Sequence, residues 1–208
     1  MRHLTFMRPN VDRRFRHRGF TMVEVMITVL VLSIGMLTIA SLQATAKRSG
    51  HQAWQRSLAI ALADSMVERI RANPSAAADY HTGLGDAALG GGTIADAPTD
   101  CAAEECSTEQ MAEWDLWNWE RRLDGAAIQD ADDNDAGGLI EPHGCIVFEE
   151  AGAAAPDTGR LRVVVSWRGL TDTADAVQAG DACGEAEAGT LASRRQVVVN
   201  TYVIDEGS

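Results

Sequence analysis

From Val25 to Ala46 the chain runs for 22 residues without a charged side chain. No other feature limits its folding as much. About 20 apolar residues in a helix cross the hydrocarbon core of a bilayer, and a helix greasy on every side is at home only in lipid or in a packed assembly. Glu24 stands immediately before this run. A carboxylate in such a helix costs roughly 2.5–3.5 kcal/mol at mid-bilayer and less near the interface. Its presence needs a physical reason.

The ends of the run set its orientation. Residues 1–19 hold six arginines (Arg2, Arg8, Arg13, Arg14, Arg16 and Arg18) against one acid, Asp12. That is a surplus of five positive charges in a chain of net charge -12, so the remainder carries -17. Arginines on the N-terminal side predict that this end stays in the cytoplasm and that the body lies outside. Lys47 and Arg48 on the far side weaken this asymmetry without reversing it. The acidic body repels phosphate backbones, so nucleic acid is not an expected partner. A cleaved secretory signal fits poorly: the apolar run exceeds the usual 7–15 residues, and no small-residue cleavage pattern follows it.

Helical periodicity continues past the greasy run. In AWQRSLAIALADSMVERIRANP, Trp54, Leu58, Leu62, Met66 and Ile70 recur every fourth residue, flanked by Ala61, which predicts one apolar stripe. Asn73-Pro74 ends the helix, because a residue before proline is pushed out of the α region. One helix from Phe20 to about Ala72 is expected. A second helix is predicted in STEQMAEWDLWNWERRLDGA, opened by a capping box of Ser107 and Gln110 and stopped at Gly125. Ala112, Leu116, Trp119 and Leu123 form its stripe; Met111, Trp114 and Trp117 widen it, and the expected use of the tryptophans is core packing.

The C-terminal third reads as strands: CIVFEE, RLRVVVSWRG and RRQVVVNTYVID, rich in β-branched residues and separated by Gly/Ala/Asp stretches. Leu161, Val163, Val165 and Trp167 alternate with Arg162, Ser166 and Arg168, so an antiparallel sheet with one covered and one wet face is expected. The four cysteines, Cys101, Cys106, Cys145 and Cys183, all lie in the body. An even count outside the cytoplasm points to disulfides, and the three possible pairings stay open. The preferred one joins Cys101 to Cys106 and Cys145 to Cys183. Zinc is disfavoured although His143 lies near Cys145, since no C-x-x-C pair is present.

With those residues in view, RGFTMVEVMITVLVLSIGM resembles the N-terminal signal of type IV pilins and pseudopilins, a basic leader ending in Gly, then Phe, then an apolar helix with Glu at its fifth position. SLAIALADSMVERIRANP, EWDLWNW, VVVSWRG and RRQVVVNTYV are similar to the minor-pilin branch called PilV, the pilus modification proteins. The resemblance implies an α+β pilin-like fold, with a long N-terminal helix, half of it transmembrane, packed on a small antiparallel sheet beside a Trp-rich second helix. It implies cleavage by a prepilin peptidase after Gly19, methylation of Phe20, and an assembly role for Glu24. The expected partners are that peptidase, other minor pilins, the major pilin and the inner-membrane assembly platform. The expected course is from the inner membrane to the pilus, at or near its tip.

The implied organisation is a removable leader over 1–19, a hydrophobic helix over 20–46, its amphipathic continuation over 47–73 and a disulfide-containing periplasmic head over 74–208. The 19-residue leader is long for this family, and a start at Met7 would leave 13. Ser33, Gly35, Ala40, Ser41 and Ala44 suit close helix–helix contact.

No catalytic spacing stands out among the five histidines, so no enzymatic activity is expected. In DADDNDAGGLIE, Asp130, Asp132, Asn134 and Glu141 fall at positions 1, 3, 5 and 12 of a calcium loop, but Asp135 occupies the position that needs glycine. A solvated acidic loop is the expectation, with calcium as the minority reading and no other cofactor. Two rival functions share the N-terminal features: a pseudopilin of type II secretion, and a membrane-anchored periplasmic enzyme or binding protein.

Overall fold

A computed structural model describes residues 19–85, 88–91, 96–126, 128, 131, 137–152, 157–173, 182–184 and 191–205. The chain divides into two compact units, residues 1–46 and 47–208. Helix α1 spans Met22–Ala72. It starts two residues later than expected because Thr21 caps it: the Thr21 hydroxyl accepts the Glu24 N–H at 3.2 Å. A 3-10 helix follows at Pro74–Tyr80, then α2 at Thr108–Leu123. Ser107 and Gln110 form the reciprocal capping box at the start of α2. Gly125, at φ 81, turns the chain away at the far end.

Three strands complete the second unit: β1 at His143–Glu150, β2 at Gly159–Arg168 and β3 at Arg194–Val203. They form one antiparallel sheet in the order β1-β2-β3. The register sets Ile146 opposite Val163 and Val163 opposite Val199. The outer edge of β1 is not left bare. Thr82 and Gly83 donate to the Ile146 carbonyl at 2.9 and 3.0 Å, and Leu89 bridges to Gly144.

The core of this unit takes one face of α1 (Ala59, Leu62, Ala63, Met66, Val67 and Ile70) together with α2 and the inward residues of the sheet. The apolar stripe is therefore rotated from the expected one. Trp54 is 51% exposed and Ala61 is exposed, whereas Ala59 and Ala63, too small to stand out in the sequence, are fully buried. Of the helix α2 tryptophans, Trp119 is core, and its ring N–H donates to the Leu62 carbonyl at 3.0 Å. Trp114 and Trp117 are half-buried and stack on each other at 5.2 Å, so the core expectation fails for them. Gly144 makes room for Trp119: a Cβ there would lie 2.5 Å from the indole.

The second sheet face also departs from expectation. Val164 and Ser166 are buried beneath Cys183, which forms a small cluster with Cys145 and Val164, and the Ser166 hydroxyl donates to the Cys183 carbonyl at 3.0 Å. Only part of that face is wet.

A buried polar network joins the elements. Asp115 of α2 pairs with Arg69 of α1 and accepts the Tyr80 hydroxyl at 2.9 Å. Asn73 donates to the Tyr80 oxygen at 3.3 Å and to the Thr108 carbonyl at 2.7 Å. Burial, with the Asp115 charge adding to it, pushes the Tyr80 phenol well above its ordinary value, which keeps it a donor. Removing one partner of a buried pair leaves the other charge uncompensated. Asp115→Ala should therefore destabilise the protein by about 3–5 kcal/mol. Asp115→Asn, which retains a hydrogen-bonding group, should cost less; urea unfolding monitored by tryptophan fluorescence checks both values.

Candidate processing and assembly site

Gly19 and Phe20 lie just ahead of α1, both exposed, and Phe20 retains 81% of its surface. Glu24 stands four residues on, in the first turn of the helix. The bond from Thr21 uses the Glu24 backbone N–H, so it leaves the carboxylate uncommitted among the described residues. An acid in a first turn also faces the positive end of the helix dipole. Thr21 is a residue the sequence reading passed over, although T-x-x-E is a helix-start signal.

The helix behind Glu24 is built for an apolar medium. Its 18-residue apolar window has no buried position, and the helix is long and apolar enough to cross a membrane. Large side chains such as Val25, Leu30, Ile34 and Leu37 are all exposed. The hydroxyls of Thr28, Ser33, Thr38 and Thr45 each donate to a carbonyl three or four residues back in the same helix. Those groups need no outside partner, which suits a medium without water. A Cβ added at Gly35 or Gly50 would meet nothing within 4 Å. Glu24 is thus the lone ionisable group between Phe20 and Ala46.

Two family comparisons bear on these residues. Residues 14–40 match the prokaryotic N-terminal methylation motif, and residues 41–117 match the family of the type IV pilin Tt1218. Over residues 14–117 the chain is type IV pilin-like. No curated protein and no solved structure matches it. The methylation motif brackets Gly19, Phe20 and Glu24 and ends inside the apolar helix. The pilin match takes in the rest of α1 and the first ten residues of α2. Together the two matches make residues 14–117 similar to a prepilin-type N-terminus followed by a pilin segment.

Other candidate residues fall elsewhere in the pilin-like chain. The structure joins Cys101 to Cys106 and Cys145 to Cys183, with Cα atoms 5.5 and 5.7 Å apart. The first closes a small loop ahead of α2, and the second fastens the segment before β3 onto the sheet. Cys145 is thereby unavailable as a zinc thiolate. Of the calcium candidates, Asp130, Asp132 and Asn134 lie outside the described residues, and Glu141 pairs with Arg168 at 3.1 Å. Among the described residues no group of three His, Cys, Asp or Glu is placed to hold a metal ion.

His143 has a structural role that its sequence context hid. Its ring is hemmed in by Gly91 and Gly184: a Cβ at either would lie 3.3 or 2.6 Å from it. Burial, reinforced by the nearby Arg194 charge, holds the imidazole below its ordinary value of 6.5, while Asp124 and Glu141 oppose the shift. The folded protein therefore takes up this proton less readily than the unfolded chain. Stability from this source is complete above pH 6.5 and is lost as pH falls from there through the lower folded value. Denaturant unfolding from pH 7.5 down to 5.5 should show the decline, and His143→Gln should flatten it. For the longer cross-link, Cys145→Ser with Cys183→Ser should lower stability by about 2–4 kcal/mol, measured the same way under non-reducing conditions.

Proposed function

We propose that this pilin-like chain is a minor pilin of the pilus-modification (PilV) branch, cut after Gly19, methylated at Phe20 and drawn from the inner membrane into a type IV pilus with other minor pilins. One observation carries the reading. A single carboxylate, uncommitted among the described residues, stands four residues from the one whose amine cleavage would expose, on a helix with no other ionisable group in its apolar length. Phe20 lies two residues ahead of the helix and Glu24 in its first turn, so the carboxylate can meet the Phe20 amine of its own chain or of a neighbour. In apolar packing the attraction between unlike charges rises as the dielectric falls, while desolvation opposes it. Such a pair sets axial register more than it adds affinity. The Trp-rich helix and the RRQVVVNTYV strand support the modification branch over a secretion pseudopilin.

Mass spectrometry of the mature chain tests the processing step: an N-methylated Phe20 at the N-terminus is expected, and a chain still carrying residues before Phe20 refutes it. Glu24→Val tests the assembly step. The variant should be cleaved normally, yet its share in sheared pili should fall roughly tenfold, equivalent to ~1.4 kcal/mol.

A further inference from the structure

Between Glu24 and Asp64 the chain has no acidic residue. The first charges after the apolar run are Lys47 and Arg48, then Arg56, all exposed on α1 and without an ion pair among the described residues. His51 and Trp54 stack on the same stretch at 5.9 Å, and Trp54 keeps 51% of its surface. The loop after β2 is brought to this stretch: the Gln52 side chain donates to the Thr171 hydroxyl at 3.4 Å, and Arg195 donates to the Thr171 carbonyl at 3.0 Å. Leu170, two residues past β2, is 46% exposed, and Arg168 at the end of the strand is half exposed. Lys47, Arg48 and Arg56 thus lie on one short length of helix, Arg195 is linked to it through Thr171, and Arg168 stands next to the same loop, paired with Glu141.

The distances match a bilayer surface. Gln52 lies six positions beyond Ala46, about 9 Å of helix at 1.5 Å per residue. The headgroup layer of one leaflet is roughly 5–7 Å deep, and helical side chains lean back toward the N-terminus. Lys47 and Arg48 fall within that layer. On the same spacing Gln52 and the loop it holds would stand just beyond that layer, still within the ~8–10 Å reach of surface charge at ordinary salt. Exposed tryptophan flanked by arginines is the composition that settles at a lipid–water boundary.

We propose that this collar binds the anionic phospholipid headgroups of the outer leaflet while the chain waits in the membrane, holding the loop over residues 169–173 against the lipid surface. The proposal rests on the membrane stage of the function proposed above. The full chain would be reconstituted in phosphatidylcholine vesicles with and without phosphatidylglycerol, and flotation and hydrogen exchange would be measured.

Flotation with both vesicle types is expected. The amides of Leu170, Thr171 and Asp172 should exchange at least about fivefold more slowly on the anionic vesicles. Replacing Lys47, Arg48 and Arg56 together by Gln, at exposed helix positions, should abolish that difference. Adding inorganic phosphate to the zwitterionic vesicles should not reproduce it. If the chain floats with both lipids but exchange is the same on each, or if phosphate alone reproduces the slowing, the collar proposal fails and the anchor stands. If the chain floats with neither, both fail.

Discussion

A buried carboxylate holds the second unit together. Asp115 sits at the meeting point of three elements and answers a charge from one and a phenol from another. Taking a carboxylate out of water is tolerable only when its oxygens are occupied, and here both are. The consequence is geometric. Arg69 near the end of α1, Tyr80 at the end of the 3-10 helix and the second turn of α2 can satisfy one another in only one relative placement. Hydrophobic burial drives these elements together, but apolar contact tolerates sliding; the polar junction fixes which contacts form.

Around that junction the two halves of α1 solve different problems. The first half has no buried position in its apolar window and turns the hydroxyls of Thr28, Ser33, Thr38 and Thr45 inward to its own backbone. The second half presents alanines at Ala59 and Ala63 to the core and places charge on its outer side. Only one charged side chain, Glu24, interrupts this division of labour, and the family match places it inside a methylation motif. A helix that is self-satisfied in lipid can leave it without breaking internal bonds. It loses only non-directional contacts, and other apolar helices can replace those.

Legibility in the sequence followed the range of the interaction. The capping box at Ser107 and Gln110, the stop at Gly125 and the three strands are local, and they were readable. The apolar helix was readable because composition alone defines it. Most of the amphipathic stripe was readable: Leu62, Met66 and Ile70 are core and Leu58 packs on it, while Trp54 and Ala61 turn outward and the small Ala59 and Ala63 take a place in the core. Asp115, one acid among many, gave no sign of its burial because its partners lie 35 and 46 positions away. The Cys145–Cys183 pairing was the preferred one, but that it would cover Val164 and Ser166 on the outer sheet face was not readable, because that depends on how the chain returns to the sheet across 38 residues.

Gly144 carries a constraint of another kind. It contributes no side chain, yet the indole of Trp119 and the tip of Leu123 occupy the space where any other residue would begin. The alanine exchange usually regarded as the mildest would here push the tryptophan off the carbonyl it holds and prise α2 from the sheet. In a library of variants, an intolerant position of this unit should therefore be one that a tally of side-chain contacts scores as empty.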